Sequence, residues 1–114
     1  MVSLVGELNA PYSSLNYLSM LNSNVPIDVR HSMISSAVVL LYRHYSKQYR
    51  LCDPYLEKFI VDHSMIYYRT EPRDIRVLDF VSEYVKDYCE IMGIPKNFTD
   101  DLIPDIRTLL REIK

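Results

Sequence analysis

Five side chains carry the chemistry for nucleophilic or acid–base catalysis near neutral pH: Cys52, Cys89, His31, His44 and His63. A thiol enzyme needs its cysteine within hydrogen-bond reach of an imidazole that stabilises the thiolate. Cys52 with His44 or His63 is the pairing to weigh, and nothing in the spacing favours it. His63 falls on an apolar helical face, where a lone histidine is usually a hydrogen-bonded core residue. Cys52 falls at a helix junction, where a free cysteine packs as a small hydrophobe. The chain contains no HExxH, GxSxG, GxGxxG or P-loop, the motifs in which spacing itself assigns roles. Its two glycines leave little loop for close approach to a phosphate. Two cysteines are too few for a disulfide framework or a four-thiolate metal site. No catalytic residue, metal or cofactor is therefore expected, and a thiol enzyme built on Cys52 is the minor alternative.

A second chemistry is carried by the stretch LLYRHYSKQYRLCDP, residues 40–54. Wound as a helix, it puts Val38, Leu41, Tyr42, Tyr45 and Tyr49 along one arc and Arg43, Lys47 and Arg50 on the other side. The tyrosines then face the core or its rim, with hydroxyls free to reach a partner. The bases face solvent and complement the negative end of the helix. The same three bases, with tyrosines beside them, could hold phosphates and stack single-stranded bases. Nucleic-acid binding through Arg43, Lys47 and Arg50 is accordingly the alternative function. Against it, the second basic cluster, Arg69, Arg73 and Arg76, falls at the far end of the intervening helix, ~24 Å away, so no continuous basic stripe forms. A helix-turn-helix is also disfavoured, because Asp79, Glu83, Asp87 and Glu90 on the would-be recognition helix would repel a phosphate backbone. The net charge of −2 supplies no overall pull toward nucleic acid or anionic lipid.

The elements that position these residues are set by proline. Proline is tolerated at the first helical position, where its missing N–H would have had no partner. Pro11, Pro26, Asp53-Pro54 and Glu71-Pro72 each precede a run with helical periodicity, Gly93 closes the fourth, and Thr99 is a candidate cap for the last. The expected helices are 11–22, 26–50, 54–69, 73–92 and 100–113, with Pro104 delaying the regular part of the last. Val2–Val5 is a candidate short strand or ordered tail. The expected fold is all-α: a compact bundle of four to five helices forming a single helical domain over residues 1–114, with the third segment near its middle.

In the fourth segment Val77, Val81, Tyr84, Val85, Tyr88, Ile91 and Met92 share one face, and Asp79, Glu83, Lys86, Asp87 and Glu90 lie opposite. The third segment is apolar most of the way round. Leu56, Phe59, Ile60, His63 and Tyr67 form one face, while Val61, Met65 and Tyr68 point elsewhere. Oily area left over in this way suits an interface, and the ten tyrosines supply amphipathic contact area at low entropic cost. The expected function is thus protein–protein interaction through Val61, Met65 and Tyr68, with another protein or a second copy as partner.

No apolar run approaches the ~18 residues of a membrane span, and the N-terminus lacks the basic and apolar regions of a signal peptide. A cytoplasmic location with reduced thiols is expected. Two alanines against ten isoleucines and ten tyrosines suggest an AT-rich genome, such as that of a virus or phage, and with it an accessory protein in the host cytoplasm.

Overall fold

The computed structural model describes residues 25–112. The expected helix over 11–22 and the candidate strand at Val2–Val5 lie outside the described residues. Four helices follow one another: α1 (Ile27–Gln48), α2 (Pro54–Arg69), α3 (Ile75–Met92) and α4 (Lys96–Glu112), with no strand among the described residues.

The helix ends show why the chain breaks where it does. Asp53 caps α2 by accepting from the Leu56 N–H at 3.0 Å, with Pro54 in the first turn. Asp53 also ties three helices together. Its second carboxylate oxygen accepts from the Tyr88 hydroxyl of α3 at 2.5 Å, and its carbonyl accepts from the Tyr42 hydroxyl of α1 at 3.1 Å. Two helices close with the same six-residue hydrogen-bond pattern. At the end of α3 Gly93 is left-handed (φ 73°), and the Ile94 N–H reaches the Cys89 carbonyl at 2.8 Å. At the end of α1 Arg50 takes that position (φ 52°), and the Leu51 N–H reaches the Ser46 carbonyl at 2.8 Å. The left-handed conformation costs an L-residue about 1–2 kcal/mol, so Arg50 is held there by its surroundings. One anchor is the following Leu51, which packs against the core as the hydrophobic partner of such a cap.

Two boundaries differ from the sequence expectation. α3 starts at Ile75, not next to Pro72, because Asp74 supplies a better cap: its side chain accepts from the Arg76 N–H at 3.0 Å. α4 starts at Lys96 and runs unbroken through Pro104. An internal proline costs ~3 kcal/mol. Here the ring is exposed, and the opposite face buries Phe98, Leu102, Ile106, Leu109 and Leu110 completely or nearly so. At about 1.5–3 kcal/mol per buried side chain, that face outweighs the proline.

Each helix packs against its neighbours in the chain, and α4 returns to α1, closing a four-membered ring. Cross-links fix antiparallel neighbours: Tyr45 and Tyr49 of α1 reach Asp105 and Asp101 of α4, and Arg107 of α4 reaches Asp79 of α3. Inside lie Ile34, Val38, Leu41, Leu56, Ile60, Leu78, Val81 and Val85 with the α4 face. α2 is therefore one corner of the ring and not its middle. It looked apolar all round because it meets α1 on one side and α3 on the other.

Candidate functional site

α2 and α3 carry aromatic rings at the same four-residue step: Tyr55, Phe59 and His63 on the first, Phe80, Tyr84 and Tyr88 on the second. In antiparallel helices a step forward on one matches a step back on the other. Tyr55 consequently stacks on Tyr88 with centroids 6.0 Å apart, Phe59 on Tyr84 at 3.9 Å, and His63 lies against Phe80 at 5.8 Å. The rungs also touch along each helix, Phe59 with His63 at 4.1 Å and Tyr84 with Tyr88 at 6.1 Å. Such pairs contribute about 0.5–1.5 kcal/mol each beyond their burial. Polar ends are satisfied locally. The Tyr55 and Tyr84 hydroxyls share a 3.0 Å hydrogen bond, and His63 Nδ1–H donates to the Phe59 carbonyl at 2.9 Å.

This seam is a surface feature. Tyr55 is 61% exposed and Phe80 54%, while Phe59, His63, Tyr84 and Tyr88 are half-buried. Ile66 and Ile91, three residues beyond His63 and Tyr88 on the same faces, prolong it at either end with exposures of 50% and 82%. The result is a strip of stacked rings with an exposed aliphatic side chain near each end, along α2, which is ~24 Å long.

The residues expected to form the contact lie elsewhere. Met65 and Tyr68 are buried and Val61 is half-buried. They point toward α1: Tyr68 meets His31 edge-on at 5.7 Å, and Val61 and Met65 line a shallow groove with Ser35. Arg73 lies over the Tyr68 ring at 4.3 Å from its centre. A lysine at position 65 would enter the core and so disturb folding. Ile91 and Met92, assigned to the buried face of α3, are exposed. They lie at the end of the helix, one turn past Tyr88, where the strip runs out to solvent.

Arg43, Lys47 and Arg50 all face solvent, as their spacing required. Arg43 is held by Glu57 of α2 at 2.8 Å. The tyrosines that were to stack bases beside them are engaged. Tyr42 and Tyr45 are buried, and Tyr49 presses edge-on against Phe98 at 5.9 Å. Tyr45 donates to Asp105 at 2.5 Å and Tyr49 to Asp101 at 3.0 Å. Burial first, and the Asp105 hydrogen bond second, push the Tyr45 phenol well above its ordinary value. The hydrogen bond to Asp53 raises Tyr88 to about 12. These phenols stay protonated and serve as fixed donors.

Cys52 is exposed and Cys89 buried, and burial pushes the Cys89 thiol upward, away from the reactive thiolate. His44 accepts from the Gln48 side chain at 3.1 Å and rests against Tyr45, while His63 belongs to the aromatic strip. No cluster of metal-ligating side chains occurs among the described residues. A concavity of about 640 Å³ runs between α3 and α4 over Cys89, Ile94, Ile103 and Pro104. Glu90, Lys86, Lys96 and Asp100 stand on its walls. It contains no nucleophile paired with a base.

Among the described residues no helix is long and apolar enough to cross a membrane. The chain matches no protein-family model, no curated protein and no solved structure. Any functional conclusion therefore rests on its own surface.

The strip did have a signal in the sequence: Tyr55, Phe59, His63 and Phe80, Tyr84, Tyr88 are two aromatic triplets with identical spacing on consecutive helices. Considered one helix at a time, each triplet looks like part of a core face. Only the antiparallel register brings them together on the outside.

Proposed function

We propose that the protein acts by binding another polypeptide through the α2–α3 aromatic strip. The observation that carries this is the exposure of Tyr55, Phe80, Ile66 and Ile91, all large and at least half exposed, at the two ends of the stacked rings. Interface centres are enriched in such aromatic and aliphatic anchors and poor in charge. The stacked rings beneath are already ordered, so docking on them loses little side-chain entropy. The exposed, free Cys52 suits a reducing compartment, in keeping with an intracellular partner. Nucleic-acid binding is supported less, since the tyrosines near Arg43, Lys47 and Arg50 are not free to stack.

Affinity capture with the tagged full chain, from cells that make it, tests the proposal. The wild type should retain a partner polypeptide, counting untagged copies of itself. Phe80→Lys with Ile66→Lys should lose it, while keeping the helical circular dichroism, because both sites are exposed. Lys47→Glu with Arg50→Glu should retain it. The reverse pattern would move the contact to the basic end of α1.

A further inference from the structure

We infer that the groove between α3 and α4 is a binding site for a small uncharged molecule, one with an apolar body and a group that both donates and accepts a hydrogen bond, such as a primary amide. This site is separate from the protein-binding strip. α3 gives Phe80, Tyr84 and Tyr88 to the strip and Ser82, Lys86 and Cys89 to the groove. Both ends of the groove are pinned. At one end Arg107 of α4 donates to Asp79 at 3.0 Å and to Ser82 at 3.3 Å. At the other the Ile94 N–H reaches the Cys89 carbonyl at 2.8 Å, where the chain turns from α3 into α4. Between these ties the groove runs ~12 Å along α3, from Ser82 to Glu90. Its volume of about 640 Å³ lies within the roughly 300–1,000 Å³ of preformed ligand sites.

Cys89, Ile94, Ile103 and Pro104 supply apolar surface. Two polar groups on the α4 wall lack their usual partners. The Thr99 hydroxyl is buried and meets no hydrogen-bonding nitrogen or oxygen among the described residues. A helical hydroxyl can bond back to the carbonyl four residues earlier, as Ser82 does to Leu78 at 2.9 Å; Thr99 does not. The Cys89 thiol beside it is a weak partner. Pro104 has no N–H, so the Asp100 carbonyl loses its helical donor. A hydroxyl and a carbonyl on adjacent residues are thus left to be satisfied, and a buried polar group without a partner calls for one. A primary amide answers both, its oxygen accepting from Thr99 and its N–H donating to the carbonyl. The charges on the rim are exposed and of both signs, Glu83, Glu90 and Asp100 with Lys86 and Lys96, so they favour no strongly charged ligand.

Titration of the isotope-labelled full chain with naphthamide, followed by backbone amide NMR signals, tests the site. The signals of Cys89, Ile94, Thr99 and Asp100 should shift together, with a Kd of about 1 mM or tighter for a ligand of this size. Naphthoate and naphthylmethylammonium keep the apolar body but carry charge, and should bind about fivefold more weakly or worse. Thr99→Val keeps the shape and removes the hydroxyl. It should weaken naphthamide about fivefold, the effect of one hydrogen bond, while Thr99→Ser should retain it. The spectra report whether each variant is folded, and the comparison of the three naphthalenes needs no variant at all. Shifts confined to the α2–α3 strip, no shift at the groove, binding of either ion as tight as that of the amide, or a folded Thr99→Val that binds like wild type would overturn the inference.

Discussion

Replacing Phe98 by alanine is expected to lower the unfolding free energy by about 3–5 kcal/mol, the cost of a large cavity in a close-packed core. Phe98 is fully buried in the first turns of α4. Tyr42 and Tyr49 of α1 meet its ring edge-on at 5.9 Å each. The substitution loses the transfer energy of the ring, both aromatic contacts and the packing that holds the end of α4 on α1. Because domain stabilities are only about 5–15 kcal/mol in total, the variant should lie near the limit of folding. Phe98→Leu, which fills most of the volume, should cost much less. Urea titration followed by circular dichroism measures both. A loss below about 1 kcal/mol for the alanine variant would mean that Phe98 is not buried as described.

The second large effect concerns Tyr45. Its hydroxyl donates to Asp105, and both residues are buried on the α1–α4 contact. Tyr45→Phe keeps the ring and removes a hydrogen bond to a carboxylate, an interaction contributing about 1.5–3 kcal/mol. The same pair sets an alkaline limit on stability. Burial and the Asp105 hydrogen bond raise the folded-state pKa of Tyr45 above the ordinary phenol value of about 10, and burial raises that of Tyr42 from the same value. Below that value both states keep the proton and the contribution is fully present. Above it the unfolded chain loses protons that the folded chain retains, so stability falls as pH rises. Wild type should therefore destabilise steeply above about pH 10, and Tyr45→Phe, starting lower, should decline less steeply. Equilibrium unfolding at neutral and at alkaline pH gives both numbers. Equal slopes in the two proteins would show that Tyr45 ionises as freely folded as unfolded.

Much of the fold was legible because its signals are local. Asp53-Pro54 marks a cap and a first turn in adjacent residues, and α2 runs from Pro54 to Arg69 as that pair and the apolar period implied. Gly93 marks the end of α3 for an equally local reason, since a left-handed residue is needed there. The errors arose where two local signals competed or a distant one decided. Pro72 and Asp74 both announce a helix start, and hydrogen bonding chose Asp74. Pro104 announces a break, and the buried face of α4, which only exists once α1 and α3 are in place, overrode it. The site was less legible than the fold. A helical projection of α2 shows three apolar arcs but not which two acquire neighbours. The arc with Val61, Met65 and Tyr68 is covered by α1, and the arc with Tyr55 and Ile66 is left to solvent. That outcome depends on how α2 sits between two other helices.

Photo-cross-linking from position 80 tests the central claim most directly. A benzophenone amino acid replacing Phe80, with a second chain carrying it in place of Lys47 on another exposed face as control, would be irradiated in cells that make the protein. The account predicts a covalent adduct to a second polypeptide from position 80 and none from position 47. An empty lane from position 80, or equal adducts from both, would contradict it.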